Sequence, residues 1–255
     1  MALLEVCCGH PDSVDAAVAG GARRIELCSA LDVDGLTPPV AWIREVKARY
    51  PSLTFHVLIR PRAGDFVYTP EEADTMLRQM EQALEAGADG LVVGCLTPSG
   101  DVDMPLMERM VSVVDSWNLA SELLQSDLCH AANDGHFFPG PSRRVSITFH
   151  RAFDVCRRPF EALEQIVRLG CDRLLTSGQG ATVVEGCDML RELHRRAAGR
   201  IIILPGGGVT PANAARLLSQ TGCTEIHASA SETIYGKKVT SSGKVLAIRQ
   251  AIREP

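Results

Sequence analysis

The sequence predicts a single α/β domain built as a (β/α)8 TIM barrel, and two observations carry that reading. A local pattern occurs four times, in which a helical stretch ends at a glycine and a short apolar strand follows. The copies are Gly21-Ala22-Arg23-Arg24-Ile25, Gly87-Ala88-Asp89-Gly90-Leu91, Gly170-Cys171-Asp172-Arg173-Leu174 and Gly222-Cys223-Thr224-Glu225-Ile226. They start 66, 83 and 52 residues apart (21 to 87, to 170, to 222). One βα unit takes about 30 residues, so each interval holds two units and the chain holds eight strands. The length of 255 residues is the second observation, because such a barrel typically needs about 250. A doubly wound open sheet is the alternative, and it is weakened because no G-x-G-x-x-G follows the first strand.

The elements follow in order. The first strand, Leu3–Cys8, leads to a helix at Pro11–Ala19, and the second strand spans Arg24–Cys28. A helix at Val40–Arg49, a strand at Thr54–Arg60, a helix at Pro70–Glu85 and a strand at Gly90–Gly94 come next. The fourth helix is read as Met104–Trp117 and the fifth strand as Val145–His150. Helices at Pro159–Leu169, Val183–Ala197 and Pro211–Ser219 alternate with strands at Arg173–Thr176, Ile201–Leu204 and Glu225–Ala228, and Lys244–Arg253 closes the chain. The strands are apolar runs too short for helices, as buried parallel strands are. Several helices open on proline, whose missing N–H costs nothing in a first turn. Glycine suits the position just past a helix end because it takes positive φ without a Cβ penalty.

One segment breaks the alternation. Residues 118–144 separate the fourth helix from the fifth strand and hold the breakers Asn133-Asp134-Gly135 and Pro139-Gly140-Pro141. It reads as a mobile inserted loop on the bottom of the barrel, away from where sites form. Its Cys129, His130 and His136 are too scattered for a metal site and read as parts of a solvated loop.

Hydrophobic residues are 45% and charged residues 22%, globular values that exclude disorder as the main state. Lys and Arg number 26 against 31 Asp and Glu, a net charge of −5, so no broad nucleic-acid footprint is expected. No apolar run is long enough to span a membrane, and Met1–His10 lacks the basic region of a signal peptide. Nine scattered cysteines, an odd number, suit free thiols in a reducing, cytoplasmic setting.

In such a barrel, function sits at the C-terminal ends of the strands and in the loops after them. Those positions carry Cys7, Cys8, Glu26, Cys28, Arg60, Arg62, Asp65, His150, Arg151, Asp154, Gly206, Gly207, Gly208, His227 and Ser229. Cys7 and Cys28 end neighbouring strands, about 4.8 Å apart, where two thiolates can close on one soft ion such as Cu(I). Two small buried hydrophobes are the plainer reading of the same pair. Arg60, Arg62 and Arg151 face Glu26, Asp65 and Asp154, either as an ion-pair belt or as a substrate wall. His150, with Asp154 as its orienting carboxylate, is a candidate acid or base. Glu26, Arg60, His150, Arg151 and Asp154 are thus the candidate catalytic set. Gly206, Gly207, Gly208 and Ser229, with the helix start at Pro211, form a candidate anion site after strands seven and eight.

Several stretches carry a resemblance to a known family. They are Leu4-Glu5-Val6-Cys7, Arg24-Ile25-Glu26-Leu27-Cys28, Gly35-Leu36-Thr37-Pro38, Ile59-Arg60-Pro61-Arg62-Ala63-Gly64-Asp65-Phe66, Thr148-Phe149-His150-Arg151-Ala152-Phe153-Asp154, Leu175-Thr176-Ser177-Gly178 and Pro205-Gly206-Gly207-Gly208. Through them the chain resembles the copper homeostasis protein CutC family. The resemblance implies a (β/α)8 barrel, Cu(I) binding, copper tolerance or trafficking in the cytoplasm, and homo-oligomers. It places the copper ligands on Cys7 and Cys28. The segment 118–144 and the stretch after Ser231 depart from the family pattern. An enzyme acting on a small anionic or phosphorylated metabolite is the alternative, because two thiols leave the Arg, Asp and His residues at the mouth unexplained. A non-catalytic scaffold is the third reading.

Overall fold

The computed structural model describes residues 2–131, 144–234 and 237–253. Eight parallel strands form the ring: β1 (Leu3–Cys8), β2 (Arg24–Leu27), β3 (Thr54–Leu58), β4 (Gly90–Val93), β5 (Ser146–Phe149), β6 (Arg173–Thr176), β7 (Ile202–Pro205) and β8 (Glu225–Ala228). Neighbours in sequence are neighbours in the sheet, and β1 pairs with both β2 and β8. The last seam, between β7 and β8, is held by one parallel bridge, Gly206 with His227.

Eight helices surround the ring: α1 (Pro11–Ala19), α2 (Val40–Arg49), α3 (Pro70–Glu85), α4 (Met104–Ala131), α5 (Pro159–Arg168), α6 (Cys187–Ala197), α7 (Ala214–Thr221) and α8 (Ser242–Ala251). Local sequence sets their ends. Pro70 opens α3 behind a capping box in which Thr69 and Glu72 satisfy each other's backbone N–H groups. The four recurrent glycines, Gly21, Gly87, Gly170 and Gly222, all take φ between +77 and +98, the left-handed turn that carries each chain end from helix into strand.

Three expectations about elements need correction. The segment read as an irregular loop from residue 118 begins as helix, because α4 runs on to Ala131. Residues 118–131 contain no glycine or proline to stop it. Asn118 itself is buried, donating from Nδ2 to the Val145 carbonyl (3.1 Å) while its Oδ1 accepts from the Val145 N–H (2.8 Å). That side chain ties α4 to the start of β5. The turn signals at 133–135 and 139–141, and His136, lie outside the described residues, and of Cys129 and His130 only the backbone is described. Two helices also start later than expected: Val183 and Pro211 fall in turns, and α6 and α7 begin at Cys187 and Ala214. Finally, an antiparallel hairpin unforeseen in the sequence, β9 (Ser231–Ile234) with β10 (Lys237–Thr240), follows β8 at the mouth.

The strands alternate between two very different environments. Outward positions such as Val6, Ile25, Phe55, Leu91, Phe149 and Ile226 are buried against the helices and form the main apolar core. Many inward positions are charged. Glu5 is 1% exposed and meets Arg24 Nε at 2.6 Å, His56 Nδ1 at 2.9 Å and His227 Nδ1 at 3.0 Å. Glu225 pairs with Arg24 and, at 2.9 Å, with Arg173 Nε. Burial works against charge on Glu5, but Arg24, His56 and His227 outweigh it and hold its carboxyl well below the ordinary value of 4.5.

Removing that charge strands its partners. Glu5→Gln is expected to cost about 3–5 kcal/mol in urea unfolding at neutral pH, the scale for breaking a buried ion pair. Because the folded pKa is depressed, the stability Glu5 contributes is present above about pH 4.5 and is lost as pH falls through the folded value. The variant should therefore lose less stability than the parent on acidification through that window.

Candidate functional site

At the C-terminal ends of the strands the ring opens into a cavity of about 490 Å³. Glu26, Arg60, His150, Arg151 and Asp154, the five residues singled out for catalysis, all line it. So do Cys7, Cys28, Gly207, Gly208 and Ser229. Arg62 and Asp65 do not, because they pair with each other at 2.9 Å and Arg62 also holds Glu72 at 2.6 Å.

Cys7 and Cys28 meet with their sulfurs 3.5 Å apart. That is far beyond the roughly 2.05 Å of a disulfide, and all eight cysteines whose side chains are described are free thiols. Cys28 follows β2 directly, and its N–H bonds to the Cys8 carbonyl at 2.9 Å. The next residue along β1, Cys8, alternates to the helix side and joins the apolar core. Cys95 likewise turns outward, to Met110. Beside the thiol pair stand Glu26 and His227, whose Nε2 lies 3.3 Å from Glu26 Oε2. Ligand atoms of Cys7, Glu26 and His227 all lie within 4.8 Å of one another, a grouping that can hold a metal ion.

The electrostatics follow from this crowding. The neighbouring Cys28 sulfur and burial push the Cys7 thiol well above its ordinary range. Burial raises Glu26 to about 7, with His227 pulling the other way. Burial opposes charge on His227, but Cys7, Glu5 and Glu26 prevail and raise it. Its Nδ1 is held by Glu5, so the ring is oriented from inside the barrel with Nε2 turned to the thiol side.

The charged residues after β3 and β5 differ from expectation. Asp154 does not orient His150. It lies in the short 3-10 turn Arg151–Val155, where it takes Arg151 Nε at 2.7 Å and the N–H groups of Ser177 and Gln179. It therefore fastens the loop after β6. His150 caps that same turn instead, its Nδ1 accepting the Ala152 N–H at 3.1 Å. Its ring lies against Gly94, where any Cβ would come within 2.5 Å of Nδ1. Among the described residues Arg60 has no carboxylate partner and donates to backbone carbonyls, those of Val33, Gly35 and Gly64.

The glycine loop is placed in part. Gly207 and Gly208, with φ of +107 and +81, border the cavity with Ser229. Gly206 sits in the sheet seam, bridged to His227, and Pro211 is in the turn before α7, which begins only at Ala214.

Sequence reasoning did not single out Glu5, Arg24, Arg173 or Glu225, and did not join His227 to the thiols. Their signal is strand alternation. Glu5 and Cys7, Arg24, Glu26 and Cys28, and Glu225 and His227 each recur at spacing two within otherwise apolar strands.

The chain was compared with known proteins. The model of the CutC family matches residues 2–125 and 141–232. A CutC family protein from Bacteroides thetaiotaomicron is 40% identical over 98% of this chain and 97% of its own length. Another, from Bacteroides fragilis, is 42% identical over 97% of this chain and 90% of its own. The crystal structure of CutC from Streptococcus agalactiae, a protein provisionally named for copper homeostasis, superposes with a TM-score of 0.75. That match covers 90% of this chain and 99% of the other, at 28% identity.

The environment of His150 is open to direct measurement. Burial, reinforced by the charge of Arg60, lowers its pKa to about 3. Nitrogen-15 NMR should find a neutral ring protonated on Nε2, with no titration step between neutral pH and about pH 4. A step near the ordinary histidine value would contradict this geometry.

Proposed function

This chain belongs to the CutC family, and from the site it carries we propose that it binds Cu(I) through Cys7 and Cys28 and serves copper homeostasis in the cytoplasm. The observation that carries the proposal is the 3.5 Å approach of the two sulfurs at the cavity floor. Two sulfurs each about 2.3 Å from one ion at a trigonal angle stand about 4 Å apart. The pair thus needs to open by only a few tenths of an ångström.

The donors suit a soft monovalent ion. Thiolates are the ligands Cu(I) prefers, and an imidazole is an acceptable third. His227 Nε2 is that third donor, with Nδ1 held by the Glu5 carboxylate in the way metal-ligating histidines are commonly oriented. Glu26 supplies negative charge beside the ion but a hard oxygen, so it is the least suited of the four. Copper is cargo in this reading and no chemical step is assigned to it. The assembly as a homo-oligomer and the cytoplasmic setting rest on the family resemblance, and the free thiols accord with a reducing compartment.

Under anaerobic, reducing conditions the protein should take about one Cu(I) per chain in competition with a chromophoric chelator. Cys7→Ser and Cys28→Ser should each weaken binding more than about tenfold, and His227→Gln should weaken it less. A double Cys7→Ser, Cys28→Ser variant that binds as tightly as the parent would refute the assignment. Displacement of Cu(I) by stoichiometric Zn(II) would replace copper by zinc in this reading.

A further inference from the structure

Copper leaves Arg60 and His150 at the cavity without a role, because a guanidinium group repels a cation. Arg60 is only 5% exposed. Among the described residues no carboxylate pairs with it. Its Nη1 donates to the carbonyls of Val33 (2.9 Å) and Gly35 (3.0 Å), and its Nη2 to that of Gly64 (2.9 Å). Of the five guanidinium hydrogens, the one on Nε and one on Nη2 are left over, and Nε has no acceptor. A buried charge is costly unless it is paired, and three neutral carbonyls supply dipoles but no counter-charge.

His150 repeats the pattern. It is 4% exposed. With Nδ1 accepting from Ala152, the neutral ring carries its hydrogen on Nε2, which has no partner. Two residues earlier on the same face of β5, Thr148 Oγ1 is buried and equally unpartnered. The carboxylates at the cavity do not answer these donors. Glu26 faces His227, Asp154 holds Arg151, and Asp34 sits exposed at the rim with no ion pair to Arg60. A partner that accepts hydrogen bonds and carries negative charge would answer them. Further donors, Arg151 and Lys238, stand on the walls of the same cavity.

We propose that the barrel mouth binds a small organic oxyanion, a carboxylate or phosphate ester, whose oxygens accept from Arg60 and His150 beside the thiol pair. A volume of about 490 Å³ exceeds what one inorganic ion needs and falls within the range of metabolite pockets. Gly207 and Gly208 line the same cavity and leave room for the ligand's remaining atoms. This site is independent of copper, since none of its donors is a thiol.

The test uses the copper-free, reduced full chain with inorganic phosphate, acetate and, as an ionic-strength control, chloride. Phosphate or acetate at millimolar concentration should raise Tm and shift the His150 Nε2–H resonance, and chloride should do neither. Response to phosphate alone identifies a phosphoryl group, and response to acetate identifies a carboxylate. His150→Asn keeps an acceptor for the Ala152 N–H but withdraws the Nε2–H donor, and should weaken binding at least tenfold. Arg60→Lys should do the same, because an ammonium cannot present the guanidinium fork. The double Cys7→Ser, Cys28→Ser variant should bind the anion as the parent does, whatever becomes of its copper. The proposal is overturned if neither anion moves Tm or the His150 resonance. It is equally overturned if both wall variants respond like the parent.

Discussion

The carboxylate of Glu5, buried at the centre of the ring, is the contact on which the rest of the site depends. It takes Arg24 from β2, His56 from β3 and His227 from β8, so one side chain on β1 binds strands on both of its sides. Barrel interiors are usually filled by branched apolar side chains. Here the lower half is a charge network, and its members are fixed by mutual attraction in a medium where unpaired charge is costly. The consequence reaches upward. By holding His227 through Nδ1, Glu5 sets which edge of that imidazole faces Glu26 and Cys7.

Above this layer the cavity divides chemically. Its floor, at the ends of β1 and β2, is thiol-rich and flanked by a carboxylate and an imidazole, donors for a soft cation. The residues just after β3 and β5 offer N–H groups and a guanidinium, donors for an anion. The two halves do not compete for one ligand, since each repels what the other attracts. Arg60 also shows how a strand-end residue organises its surroundings. Its three carbonyl bonds draw the loops at Val33–Gly35 and Gly64 to the rim, so the guanidinium that lines the cavity also shapes its edge. Phe66 stacks 5.1 Å from that guanidinium and 5.0 Å from the His150 ring, which keeps both in place.

Much of this was legible in the chain. Four helix-ending glycines, each interval between them long enough for two βα units, counted the strands, because positive φ after a helix is a local requirement that few other residues meet. Cys7 and Cys28 were legible as neighbours, because consecutive strands of a barrel pair. The course of residues 118–131 was misread, since the departure from regular spacing drew attention to the breakers at 133–141 and away from the helix-forming run before them. The hairpin from Ser231 to Thr240 had its own signal, the β-branched pairs Thr233-Ile234 and Val239-Thr240 on either side of Tyr235-Gly236, which lies beyond the eighth strand of a barrel. His150 and Asp154 were paired by proximity in sequence, but a 3-10 turn between them sends the carboxylate to β6.

Local sequence by itself determined the strands, the helix caps, the ring they form and the inward or outward sense of each strand residue, because these rest on periods of two and 3.6 residues and on single-residue conformational limits. Only the tertiary structure decided which charge meets which. His227 reaches Glu5 across 222 positions of sequence, and among the described residues Arg60 has no carboxylate partner although Asp65 lies five positions away. Such pairings depend on the closure and stagger of the ring, which bring together side chains whose order in the sequence carries no record of the distance between them.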